Sequence, residues 1–266
     1  MRSTCRPLIL TAVLLMPLMQ PHAASSQGPR DTSAATERLR EPLGDPRPWI
    51  AQSEVRLRAD SNDVDALRIG ALALVTLGKA AGLDTKDAAR DSVFRVAERW
   101  ARRAAALRPA DADVQFALAT AIGNAAMSKS PSERVRSADE IWQAATRATR
   151  LDPAHDGAWH VLGRWHAEML RVSPFERYFA KQMLGAAIFD RATWDEAIAA
   201  LERARALDST RIMHRLELAE IYLNRKRWND ARHELDAVRA LPLAEANDTL
   251  YRRQGELLRR KLKGGR

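Results

Sequence analysis

Two stretches near the C-terminal end, WDEAIAALERARALDS (194–209) and WNDARHELDAVRALPL (228–243), superpose residue on residue. Trp194 aligns with Trp228, Ala197 with Ala231, Leu201 with Leu235, Ala204 with Val238 and Leu207 with Leu241, each pair 34 positions apart. A period of this length allows one helix–turn–helix per unit. Such a unit cannot bury its apolar face alone, so neighbouring units must stack and share one continuous core. Residues 197, 201 and 204 are spaced i, i+4, i+7, which puts them on one face of a helix.

Earlier units follow the same grammar. AERWARRAAALRP (97–109) and IWQAATRATRLDP (141–153) read as second helices, with Ala104, Ala148 and Ala204 equivalent. The excess over one period falls between the two helices of a unit, above all in LRVSPFERYFAKQMLGAAIFDRA (170–192). First helices carry a large residue, then Leu and a small residue, then a ring: Trp159, Leu162, Gly163 and His166 in one unit, and Leu218, Ala219 and Tyr222 in the last. Gly163 is expected where the paired helices touch, with Trp159 and Leu162 filling the gaps beside it. This is the tetratricopeptide pattern. The chain is Ala-, Leu- and Arg-rich, 46% hydrophobic, and has no alternating Val, Ile and Thr run that would make a sheet. The expected fold is therefore an all-α, tetratricopeptide-like solenoid of about four units, spanning 46–262. A helix near 47–59 precedes it, and DTLYRRQGELLRRKLKGGR (248–266) caps it through Leu250, Leu257, Leu258 and Leu262.

The first residues read as an export signal. Arg2 and Arg6 precede the apolar run LILTAVLLMPLM (8–19), and small residues follow in HAASS (22–26). The run fits a signal h-region and is too short to span a bilayer. Residues 1–24 are expected to be removed, leaving a polar leader over 25–45 and an exported protein of the periplasm or cell envelope. Cys5 is the sole cysteine and would leave with the signal, which excludes disulfides, thiol catalysis and thiolate metal sites from the mature chain. The formal charge is +9, and loss of Arg2 and Arg6 would leave +7. An exported chain rarely meets nucleic acid, so the charge reads either as a solvated Arg-rich helical surface or as the complement of an acidic protein surface or anionic lipid. The basic side of the last helix (Arg252, Arg253, Arg259, Arg260, Lys261) is a candidate for membrane-surface association.

LGRWHAEML, SPFERYFAKQML, WDEAIAALERARALDS and RLELAEIYLNRKRWNDARHELDAVRALPL together resemble the regulator-of-microtubule-dynamics family, with the tetrad Leu162–Trp165 the most recognisable mark. The similarity runs over roughly residues 60–262. It implies a helical-repeat adaptor without catalysis. Eukaryotic members are linked to microtubules and organelle contact sites, where the repeat domain of one member binds phospholipid. An export signal removes the microtubule role from this chain. Binding of a protein segment or a phospholipid survives the change of compartment.

No catalytic motif stands out, and no cofactor or metal is expected. His160 and His166 are six residues apart, so they point to different sides of a helix. The concave face is lined by the first helix of each unit. There the candidate ligand-binding residues are His160, Arg164 and Glu168 in one unit and Leu216, Glu220 and Leu223 in the last. The first three are spaced by fours and stack in one stripe. Arg164 offers a planar fork for a phosphate or carboxylate; the plainer alternative is an Arg164–Glu168 ion pair within the helix. Phe175, Phe179, Leu184, Ile188 and Phe189 form an apolar stripe, read as packing against the neighbouring unit or as a lip over the groove.

Overall fold

The computed structural model describes residues 44–80, 87–184 and 187–264. Residues 1–24, expected to be an export signal, and most of the expected leader 25–45 lie outside them. Eleven α-helices and two short 3₁₀ turns make up the described residues, with no strand among them. The helices are α1 Arg47–Ala59, α2 Val64–Ala80, α3 Ala88–Leu107, α4 Ala112–Ala125, α5 Pro131–Leu151, α6 Asp156–Arg171, α7 Pro174–Leu184, α8 Trp194–Leu207, α9 Ile212–Asn224, α10 Trp228–Ala240 and α11 Asp248–Gly264. Four pairs (α2 with α3, α4 with α5, α6 with α8, α9 with α10) stack in chain order, α1 packs on α2, and α11 closes the end. None is long and apolar enough to cross a membrane.

The breaks between helices are built from capping residues. Asp87, Asp111 and Thr193 each accept a hydrogen bond from a first-turn backbone N–H, and Ser130 with Glu133 forms a capping box. The second helices end alike: the N–H groups of Arg108, Asp152 and Asp208 donate to the carbonyls of Ala104, Ala148 and Ala204.

The repeat register holds in the packing. Ala104, Ala148, Ala197, Leu201, Ala204 and Ala231 are fully buried. A Cβ on Gly163 would lie 2.7 Å from Leu201 Cγ and 2.9 Å from the Ala197 carbonyl. The glycine thus lets α6 and α8 touch, which outweighs its helix penalty of roughly 1 kcal/mol. Ala197→Leu should consequently overpack this contact and cost about 1–3 kcal/mol. A thermal melt checks it, and an unchanged midpoint would contradict the register.

The insertion between α6 and α8 is α7 plus the 3₁₀ turn Ala187–Arg191. Ile188 and Phe189 are buried against Trp165, with Ile141 and Trp142 of α5 beside them, so this half of the apolar stripe is packing. Phe175 and Tyr178 of α7 are exposed; the side chains of Phe179 and Leu184 lie outside the description.

One expectation needs correcting. Of Leu250, Leu257, Leu258 and Leu262, the leucines expected to cap the array, Leu257 does not face it. Tyr251, Gly255, Leu258 and Leu262 face the last unit, while Leu257 is 50% exposed. A Cβ on Gly255 would lie 2.8 Å from Val238 Cγ1, so close approach of α11 to α10 decides the rotation of the cap.

Candidate functional site

The concave face runs along α2, α4, α6 and α9, and its centre is a column of buried polar groups. It begins at Asp156 in the first turn of α6, where a carboxylate is favoured by the helix N-terminus. Asp156 accepts from Arg211 Nη1 at 2.8 Å and from His214 Nε2 at 2.8 Å. Arg211 stands at the residue preceding α9 and turns its other edge to Glu245, with Nε 2.7 Å from Oε1. The Glu245 loop is itself held by Asp248, which accepts from the Ala244 and Glu245 N–H groups at 2.7 Å. His214 Nδ1 stands 3.1 Å from His160 Nδ1. With His214 donating through Nε2, its Nδ1 accepts, and His160 Nδ1 carries the proton.

Burial sets the protonation states. His160 is pushed well below its ordinary value by burial, then by the charges of His214 and Arg164. His214 is lowered by burial, against the pull of Asp156. Burial works against the Asp156 charge, but His214 and Arg211 outweigh it and hold the carboxyl far below its usual range.

Further along the stripe the groups reach water. Arg164 is 47% exposed, and its Nε lies 3.8 Å from Glu168 and 4.0 Å from Glu217. Arg171 is held tighter, 2.8 Å from Glu168, 3.1 Å from Glu217 and 3.7 Å from Glu220. Burial, then the nearby Glu217, raises the pKa of Glu220.

The groove is bridged. Lys79 Nζ at the end of α2 lies 3.3 Å from the Tyr251 hydroxyl of α11, and Asn247 Nδ2 donates to the Thr76 carbonyl at 3.5 Å. The first and last units thereby meet across the concave side.

The six residues expected to form the site divide accordingly. Arg164, Glu168 and Glu220 come together around Arg171 with water access. His160 is 5% exposed and occupied by His214, so it is not an open donor. Leu216 is 8% exposed and packs with Ile212, Val238 and Tyr251, covered by α11. Leu223 lines a separate cleft at the end of the array, together with Glu220. His160 and His166 do diverge: His166 packs edge-on against Trp165 and accepts from the Thr193 N–H at 3.4 Å. Asp156, Arg171, Arg211, His214, Glu217 and Glu245 lie outside the expected set. A histidine at 214, where the repeat register calls for the small residue seen at Ala158, is the signal that points to them.

Residues 51–263 match the family described as Regulator of microtubule dynamics protein 1-3. The chain belongs to that family. No curated protein matches the sequence. Among solved structures, the family member described here is similar to TTC0263, a thermophilic TPR protein of Thermus thermophilus. The TM-score is 0.55 at 19% identity, covering 78% of this chain and 89% of that one. Pseudomonas aeruginosa pilF is more loosely similar, with a TM-score of 0.42 at 15% identity over 83% of this chain and 88% of that one. The likeness to the Thermus protein establishes the tetratricopeptide-like fold.

Proposed function

We propose that the protein is a non-enzymatic scaffold that grips a protein segment on the concave stripe between α6 and α9. Arg164 carries this reading. Its two acidic neighbours stand at 3.8 and 4.0 Å, beyond hydrogen-bond reach, so a ligand carboxylate can compete for its fork. The stripe is lined with Arg164, Glu168, Arg171, Glu217 and Glu220, which suits a polar, extended segment better than the acyl chains of a phospholipid.

Native mass spectrometry of protein isolated from its own cells tests the choice. A bound peptide or protein supports the scaffold reading, and a phospholipid adduct overturns it. Arg164→Ala is expected to weaken the captured partner about tenfold or more, since a charge-assisted hydrogen bond contributes roughly 1.5–3 kcal/mol. Arg260→Ala on α11 is the control. If the control loses binding and Arg164→Ala does not, the partner docks on the basic cap. We also propose that the protein works in the cell envelope, from the basic, apolar and small-residue regions within 1–26. N-terminal sequencing should find a start between Ala23 and Gln27; an intact Met1 would mean an anchor.

A further inference from the structure

The array ends unevenly. Trp194 and Trp228 hold the same place in successive units, yet their surroundings differ. Trp194 packs on the cluster of Leu218, Ile221 and Ala231, and the Arg225 guanidinium from the α9–α10 turn lies 5.8 Å from the centre of its ring. Trp228 is 46% exposed. The unit after it is α11 alone, with no helix pair and no turn to cover the indole among the described residues.

Where that turn would sit, a cleft of roughly 640 Å³ remains between the end of α9, the start of α10 and the end of α11. Leu223, Leu258 and Leu262 give it an apolar lining, and Trp228 adds an indole. Arg232 and Lys261 stand in the same lining. Neither has an acidic partner among the described residues, unlike Arg164, Arg171 and Arg211 of the groove. Glu220, the acid of the lining, already has Arg171 at 3.7 Å.

We propose that this cleft binds an acidic peptide segment. One bulky apolar side chain would rest on the leucines and Trp228, with neighbouring carboxylates on Arg232 and Lys261. Two unpaired cations beside an apolar lining call for an anion attached to an apolar body. Three leucines and one indole match a side chain or two rather than an acyl chain. Asn224 and Asn229, also in the lining, supply donors and acceptors for a peptide backbone. The volume lies within the ordinary range of small-ligand sites. This goes beyond the groove reading, because Arg164 is not part of the cleft.

The probe is a fluorescein-labelled Glu-Leu-Phe-Glu-Asp peptide, followed by anisotropy with the full chain. Arg232→Ala with Lys261→Ala is expected to weaken binding at least tenfold, Trp228→Ala comparably, and Arg164→Ala less than twofold. The Gln-Leu-Phe-Gln-Asn analogue should bind at least tenfold more weakly than the acidic peptide. All four positions reach the surface, and circular dichroism confirms the fold of each variant. Absence of saturable binding up to millimolar peptide overturns the proposal, as does equal binding of the neutral analogue. Loss confined to Arg164→Ala would put the peptide in the concave groove instead. Two other occupants would also overturn it. One is a second copy of the chain, seen as a dimer by sedimentation that Trp228→Ala abolishes. The other is anionic phosphatidylglycerol vesicles that need Arg232 and Lys261 while the peptide stays unbound.

Discussion

Asp156→Ala is expected to lower stability by about 3–5 kcal/mol, the cost of breaking a buried ion pair from one side. The carboxylate is 6% exposed and receives both Arg211 and His214 at 2.8 Å. Without it, His214 loses its acceptor and Arg211 keeps only Glu245. Water cannot readily replace the lost partner, since the side chains of Arg211 and His214 are 3% and 0% exposed. Urea denaturation measures the effect as a shift in midpoint at unchanged slope. Replacing Asp156, Arg211, His214 and Glu245 together with apolar residues of similar volume should recover much of the loss, because none of these charges is then stranded. A single-variant cost under about 1 kcal/mol, the value of an exposed pair, would mean that the column is hydrated in solution.

Acid should destabilise the fold well above the pH at which Asp156 titrates. His155, which caps α6 through Nδ1 and lies 4.7 Å from the Phe116 ring, is pushed down to about 4 by burial. His160 and His214 are lowered for the same first cause. The unfolded chain therefore binds more protons than the folded one once pH falls below the ordinary histidine value of 6.5. Their contribution to stability is complete above that value and drains away toward the folded pKa. For His155 alone the loss between pH 7 and pH 4.5 is about 2–3 kcal/mol. Asp156 acts in a lower window. Its pKa is depressed, so its contribution persists until pH falls below the ordinary carboxylate value of about 4. Urea midpoints across pH 7 to 4.5 should thus fall steadily. His155→Asn, which keeps a capping acceptor but does not titrate, should flatten the slope. A stability independent of pH over this range would mean that the histidines meet water in solution.

The cleft and the groove differ in how far the sequence reached them. Arg164 and Glu168 follow from helical spacing within α6, and they do lie together. Glu220 follows from its register in α9 and stands near Arg171. His160 lies on the expected stripe but in surroundings that spacing does not reveal. Its partner His214 is 54 residues away, across an insertion that breaks the 34-residue period. Leu216 has groove register, but α11 folds over it. That fold-over depends on Gly255, whose missing side chain has meaning only once α10 lies beside it. The exposure of Trp228 is equally hidden, because its alignment with Trp194 implies the same covering.

Local physics explains the division. Helix identity, the capping residues at the breaks and the alanine contacts repeated every 34 residues are properties of short segments and their nearest neighbours, so the sequence alone determined the solenoid and the order of its pairs. The bridge from Lys79 to Tyr251 joins residues 172 positions apart, and the Arg211–Glu245 and Asp156–His214 pairs join three separate elements. Those contacts follow from the accumulated rotation of the stacked units and from the insertion of α7, neither of which any single repeat specifies. Only the tertiary structure could decide that the concave face is bridged, that its centre is a buried polar column, and that one indole is left uncovered at the end.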